Sequence, residues 1–165
     1  MGFPGDELVD AAATLDREYV LHAPAAEVWP WLEQVGKSRG GWYAPGWFER
    51  LTPKRFHGLH EIDPRFRLAR GDVVPDYGPS PFTVAVLDPP RALVHRGTHK
   101  GTEFSWALLL TDLPEGRSVL HFRFRISKAG RVMRTVGDLF DHATIALLVA
   151  GLRERLSDRG PSVTP

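Results

Sequence analysis

The sequence predicts an α+β fold in which a curved antiparallel sheet of about six to seven strands wraps around one long C-terminal helix. Two short helices are predicted after the first strand. Two observations carry this prediction: helical periodicity over residues 131–158, and a series of short strand patterns separated by turn residues over 72–127. Because such a helix would be roughly 40 Å long, a curved sheet is the natural partner to bury it.

The length and composition limit the class of protein. The 165 residues fit one domain, and the formal net charge of +1 predicts no nucleic-acid partner. The absence of cysteine excludes disulfides and thiolate chemistry. No run of 18 apolar residues and no signal-peptide pattern occur, so we expect a cytoplasmic protein without a transmembrane segment.

The first strand is predicted over residues 17–23, where side chains alternate up to Pro24. Pro24 then starts a helix that ends at Gly36, and a further helical turn is predicted over residues 47–51. The apolar face of the first helix consists of Val28, Trp31, Leu32 and Val35. The loop after it carries four large aromatic side chains that we expect to be buried: Trp42, Tyr43, Trp47 and Phe48.

Five further strands are predicted over residues 72–75, 82–87, 92–98, 103–113 and 117–127. The last two are long and joined by a tight turn, which predicts an antiparallel hairpin. The alternation of side chains predicts that one face of the hairpin is exposed to solvent, with His121, Arg123 and Arg125 on it. It makes the other face apolar, with Phe104, Trp106, Leu108, Leu110, Leu120, Phe122, Phe124 and Ile126.

The C-terminal helix has two apolar stripes. The first is predicted to face the sheet and consists of Val136, Phe140, Ala143, Leu147 and Ala150. The second, in the later half, consists of Ile145, Leu148, Val149, Leu152 and Leu156. This second stripe either packs against an N-terminal segment or helix of the same chain, or docks a partner protein or forms a homodimer. Gly137 and Gly151 weaken the helix but allow another segment to approach closely.

Specific stretches resemble a known family. They are APAAEVWPWLEQVGKSRGGWYAPGWFE at 23–49, GDVVP at 71–75, VLDPPRALV at 86–94 and the tryptophan-containing strand at 104–110. With the order of elements, they are similar to the START-like or helix-grip superfamily, SRPBCC, which includes pollen-allergen-like proteins, lipid-transfer domains and polyketide cyclases/dehydrases. The resemblance covers about residues 16–157 and leaves 1–15 and 159–165 as tails. It implies an apolar cavity between sheet and helix, but no single activity.

The cavity implied by this resemblance would bind a hydrophobic or amphipathic small molecule, lipid-like or polycyclic. The alternative is that the same side chains form a solid core. The expected lining comes from the inner faces of the strands, from the helix and from the aromatic loop: Trp42, Tyr43, Trp47, Phe48, Phe82, Val84, Val86, Phe104, Trp106, Leu108, Leu120, Phe122, Phe124, Met133, Val136, Phe140 and Leu147.

Tyr43, Trp106 and His95 are candidates for orienting a ligand, and Tyr43 and His95 also for moving a proton. His95 would do so if it points into the cavity, and would be a solvated surface residue if it points outward. The Tyr43 hydroxyl either orients a ligand or binds the backbone. An enzyme alternative, a polyketide cyclase or dehydratase, would use these groups in the same cavity. No cofactor is expected.

Two other motifs do not support sites. His57 and His60 are spaced by three in a loop without further metal-binding pattern, so no metal site is predicted. Gly36-Lys37-Ser38 lacks the first glycine of a phosphate-binding loop and lies at the end of a helix.

Overall fold

The computed structural model describes residues 3–75, 80–128 and 131–157, with the side chains of the last range described from 142 onward. The helices are α1 (Ala25–Gln34), α2 (Gly46–Glu49) and α3 (Arg131–Ser157). The strands are β1 (Ala13–Leu21), β2 (Val73–Val74), β3 (Phe82–Asp88), β4 (Ala92–His99), β5 (Thr102–Leu113) and β6 (Arg117–Ile126). They form one antiparallel sheet in the order β1-β6-β5-β4-β3-β2. The predicted α+β fold, a curved antiparallel sheet with a long C-terminal helix, is confirmed.

Strand β1 begins at Ala13, four residues before the predicted start at residue 17. Its whole length pairs with β6, from Ala13 opposite Ile126 to Leu21 opposite Ser118. The early residues carry little apolar alternation, so their extended form depends on hydrogen bonds to the long partner strand.

The β5–β6 hairpin has the predicted apolar face. Phe104 pairs with Ile126, Trp106 with Phe124, and Leu108 with Phe122. Directly opposite residues of an antiparallel pair point to the same side of the sheet, so all of these side chains share the concave face.

Val86 does not lie on this concave face, contrary to prediction. A β-bulge between Val84 and Val86 shifts the register, so that Val86 pairs with Val94 and the next residue, Leu87, pairs with Leu93. The extra residue reverses which side of the sheet each later side chain faces. Leu87 therefore packs against the core in the place predicted for Val86.

The stripe of α3 that meets the core is also the opposite of the one predicted, over the part whose side chains are described. Ile145, Leu148, Val149 and Leu152 are buried in the core, whereas Leu147 and Ala150 are partly exposed and Ala143 is exposed. Burial favours the stripe with the larger apolar side chains. These side chains pack in the core of the same chain. The alternative that this stripe docks a partner protein is therefore wrong.

The outer face of the sheet is partly covered, so the prediction of a wholly wet face is wrong. The N-terminal segment crosses it and places Asp6 3.0 Å from Arg123, with the Phe3 ring 3.7 Å below the guanidinium. Asp16 lies 2.7 Å from the same arginine. Arg123 is therefore paired with two carboxylates of the same chain.

Gly151 allows α3 to touch the aromatic loop, as the sequence predicted for a close approach. A Cβ at this position would lie 2.6 Å from the backbone nitrogen and carbonyl carbon of Ala44. Such a distance forces the loop or the helix to move.

We expect Gly151→Ala to lower the free energy of unfolding by about 1–3 kcal/mol, since overpacking outweighs the gain in helix propensity. Urea denaturation measures this change. Ser157→Ala, on the exposed end of the same helix, is the matched control and should change stability by less than about 0.5 kcal/mol. Equal stability of Gly151→Ala and the native protein would contradict the close contact.

Candidate functional site

The concave face of the sheet carries a continuous set of aromatic rings, here called the aromatic wall: Phe82, His95, Phe104, Trp106, Phe122 and Phe124. Trp106 stacks on Phe122 with ring centroids 6.2 Å apart, and Phe104 stacks on Phe124 at 6.2 Å. Phe82 meets Phe104 edge-on at 5.3 Å. Bulky inward residues on four adjacent strands produce this wall.

The concave face is filled at one end and partly open at the other. Leu108 and Leu120 are 0 % exposed, packed against the helices. Toward the other end of the same strands, Trp106, two residues from Leu108, is partly exposed, as are Phe104 and Phe124, four residues from Leu108 and Leu120. Among the described residues, these three inward-facing aromatic side chains therefore keep some contact with solvent on the concave face.

Trp42 covers part of the aromatic wall. Its indole stacks on Trp106 with centroids 6.1 Å apart and planes inclined by 20°. Its Nε1 donates a hydrogen bond to the Thr144 carbonyl oxygen of α3 at 3.3 Å. Trp42 therefore joins the aromatic loop, the helix and the wall, and remains partly exposed.

His95 points into the aromatic wall, so the interpretation of His95 as a solvated surface residue is wrong. It is 2 % exposed, with its ring 5.6 Å from Trp106 and 5.8 Å from Phe82. Burial lowers the pKa of His95 to about 4, because the apolar surroundings disfavour the charged ring. Within the described part of the chain, its Nδ1 has no hydrogen-bond partner. The ring is thus neutral at pH 7.

Arg17 and Tyr19 also lie on the concave face, and the sequence analysis missed them as site residues. Arg17 pairs with Phe122 and Tyr19 with Leu120, which places both on the inner side of β1. The alternation along β1 could have identified them. Strands β6 and β5 lie between β1 and β4. Arg17 and His95 are therefore separated by roughly 14 Å in the direction across the strands.

The other predicted rim aromatics lie elsewhere. The Tyr43 hydroxyl donates a hydrogen bond to the Trp31 carbonyl oxygen at 2.8 Å, which is the backbone-bonded alternative, and burial raises its pKa. Trp47 is 58 % exposed. Among the aromatic rings of the described residues, it contacts that of Phe48. The expectation that all four loop aromatics are buried is therefore wrong for Trp47.

A buried ion pair holds the aromatic loop on α3. Arg155 is 2 % exposed, and its Nη2 lies 2.7 Å from Glu49. The same guanidinium donates to the carbonyl oxygens of Leu59, Ala44 and Gly151 at 2.7, 3.0 and 3.0 Å. This cluster ties a loop rich in glycine and proline to the helix.

Glu49 also contacts His60, whose Nε2 lies 2.8 Å from the carboxylate. Burial alone would raise the pKa of Glu49, but the hydrogen bonds from Arg155 and His60 outweigh it and lower the pKa. His57 binds the Thr52 carbonyl oxygen at 2.9 Å. Both histidines thus have contacts that support the loop.

The remaining predicted lining residues divide into two groups. Val84, Leu108, Leu120 and Phe122 belong to the buried core, as the solid-core alternative expects. Met133, Val136 and Phe140 have side chains outside the described residues.

Neither a protein-family model nor a curated protein matches this sequence. Solved structures do. Protein MLL2253 from Mesorhizobium loti is 16 % identical, with 90 % of this chain and 98 % of that one covered at a TM-score of 0.57. Norcoclaurine synthase from Thalictrum flavum, solved as a point mutant with a transition-state analogue, is 14 % identical, with 90 % and 96 % covered at 0.55.

DynU16, a protein of the dynemicin biosynthetic locus, is 18 % identical at a TM-score of 0.55. The match covers 90 % of this chain and 49 % of DynU16, so this chain spans about half of that protein. These likenesses define the class of fold: the chain has the START-like, helix-grip fold that the sequence resemblance predicted. In the described part of the chain, no helix is both apolar enough and long enough to cross a bilayer.

Proposed function

We propose that the protein binds a hydrophobic or amphipathic small molecule, lipid-like or polycyclic, in the cleft between the aromatic wall and α3. The observation that carries this proposal is the partial exposure of Phe104, Trp106 and Phe124 on the concave face of the sheet. Apolar burial would supply most of the binding free energy, at roughly 25 cal/mol per Å² before ordering costs. Stacked rings favour a flat or elongated apolar ligand.

The polar groups on the concave face favour an amphipathic ligand over a purely apolar one. His95 offers a neutral ring with an unpaired Nδ1 among the described residues, and Arg17 and Tyr19 lie across the sheet from it. A ligand oxygen that bonds to Nδ1 would satisfy a buried polar atom, which is otherwise costly. His95 would therefore set the orientation of the ligand.

A cyclase or dehydratase acting in the same cleft is the second candidate, and His95 is the observation that favours it. A neutral imidazole in an apolar cleft can accept a proton from a bound substrate. Norcoclaurine synthase, whose fold the chain shares, is named as an enzyme. Carriage and catalysis would be separated by whether the molecule recovered from the protein changes chemically on incubation.

The direct test is native mass spectrometry of the purified protein, followed by denaturing extraction of anything retained. A mass above that of the chain, lost on denaturation together with release of an apolar or amphipathic compound, would support the proposal. A bare chain mass, together with no uptake of fatty acids or polycyclic aromatics supplied in excess, would refute it.

We expect Trp106→Ala to weaken binding of such a compound, or of 1-anilinonaphthalene-8-sulfonate as a probe, by roughly tenfold or more, since it removes the centre of the wall. Trp47→Ala is the matched control, because it removes an indole that lies outside the cleft. Fluorescence titration measures both affinities. Equal loss in the two variants would place the ligand elsewhere.

A further inference from the structure

The segment 46–60, here called the α2 tip, exposes an unusual amount of apolar surface. Among the described residues, six large apolar side chains are exposed, and four lie in this tip: Trp47, Leu51, Phe56 and Leu59, at 58 %, 77 %, 50 % and 38 %. Trp47 and Leu51 are four residues apart on a continuous helical turn, since Leu51 N donates to the Phe48 carbonyl oxygen. Concentrated exposure of this kind marks an interaction surface.

The same tip is basic. Arg50, Lys54 and Arg55 are exposed, and in the described part of the chain none of them forms an ion pair. The carboxylate between Trp47 and Arg50, that of Glu49, is buried and paired with Arg155. The exposed charges within 46–60 are therefore basic, although the whole chain is nearly neutral at a formal +1. Two exposed carboxylates flank the tip: Glu61, and Glu154, which accepts a hydrogen bond from the Gly46 backbone nitrogen at 2.7 Å.

The tip is also held rigidly. Arg155 donates to the carbonyl oxygens of Leu59 and Gly58 and pairs with Glu49, and His57 binds the Thr52 carbonyl oxygen. These contacts tie both ends of the tip to α3. The apolar side chains thus project from a backbone that is hydrogen-bonded to the rest of the chain.

We propose that the α2 tip docks the protein on the surface of a lipid bilayer that contains anionic lipids. Trp, Phe and Leu side chains partition into the interface between headgroups and acyl chains, and adjacent Lys and Arg side chains bind anionic headgroups. A second copy of this chain fits less well, because a two-fold contact would bring the same basic residues together. This proposal does not depend on a ligand in the cleft.

The test is sedimentation of the full chain with vesicles of phosphatidylcholine and phosphatidylserine, and with vesicles of phosphatidylcholine alone. The native protein should bind the anionic vesicles, and raised salt should weaken that binding. The double variant Trp47→Ser and Leu51→Ser should lose roughly tenfold or more of its affinity. Val73→Ser, which removes an apolar side chain that is 62 % exposed on β2, is the matched control and should bind as the native protein does.

A charge variant separates the electrostatic contribution. Changing Arg50, Lys54 and Arg55 together to glutamine should lower affinity for anionic vesicles on the order of 100-fold at low salt. Its control changes three exposed basic residues outside the tip, Lys37, Arg70 and Arg91, to glutamine. Circular dichroism confirms that each variant is folded.

Insertion can be followed directly, because the chain contains no cysteine. A nitrobenzoxadiazole label at Leu51→Cys should shift its emission to the blue and brighten with anionic vesicles, whereas the same label at Val73→Cys should not change. No vesicle binding by the native protein, or equal binding by the tip variants and their controls, would overturn the proposal. Self-association abolished by the Trp47→Ser and Leu51→Ser changes would also overturn it and assign the tip to a second copy.

Discussion

Replacing Arg155 with methionine is expected to lower the free energy of unfolding by about 3–5 kcal/mol. The change leaves the Glu49 carboxylate buried without its 2.7 Å partner. It also removes the donors to the Leu59 and Ala44 carbonyl oxygens, which lie 2.7 and 3.0 Å from the guanidinium. Leaving one charge buried without its partner costs more free energy than replacing both charged side chains by apolar ones.

Chemical denaturation of Arg155→Met and of Arg153→Met measures this effect. Arg153 is exposed on the same helix and donates to the Val20 carbonyl oxygen at 2.8 Å, so its loss should change stability by at most about 1 kcal/mol. Adding Glu49→Leu to Arg155→Met should recover part of the stability, because the unpaired carboxylate is then absent. A loss no larger than that of Arg153→Met would show that the ion pair does not hold the loop.

Stability should fall by about 3 kcal/mol between pH 7 and pH 4 through His95 alone. Its pKa is about 4 in the folded protein, against a usual value of 6.5. Between these values the unfolded chain binds a proton that the folded chain does not, so acidification favours unfolding. Above about pH 6.5 the ring is neutral in both the folded and the unfolded chain, and the free energy of unfolding is not reduced through it. As the pH falls from 6.5 to 4, the free energy of unfolding decreases.

Urea denaturation from pH 7 to pH 4 tests this, with the native protein compared with His95→Phe. The carboxylates of Glu49 and Asp16 are hydrogen-bonded to basic side chains and have lowered pKa values. Their protonation in acid therefore also lowers the free energy of unfolding. The diagnostic quantity is therefore the difference between the two pH slopes. Parallel slopes for native protein and His95→Phe would mean that the ring is not buried in its neutral form.

The strands show where prediction from sequence succeeds. The alternation of β5 and β6 gave the correct faces because side-chain direction repeats every two residues while the strand is regular. Val86 was assigned to the wrong face because a bulge adds one residue, and nothing in the local residue pattern marked it.

The candidate site was predicted less well. Residue type and position indicated Trp106, Phe104 and Phe124, which lie on the concave face. The orientation of His95 could not be decided, because the sequence of a short strand with apolar side chains on both faces does not show which face meets the core until its partners are known. Trp47 and Tyr43 are both large aromatic residues and lie four residues apart, yet one is 58 % and the other 1 % exposed.

Local pattern alone was sufficient for the order of helices and strands, the hairpin and its apolar face, since these depend on neighbours within a few residues along the chain. The core-facing stripe of α3, the inward turn of His95 and the support of the aromatic loop by Arg155 emerge only when distant segments meet. Arg155 and Ala44 are 111 positions apart in the chain. Contacts of this kind depend on packing and on buried charge, which periodicity does not report.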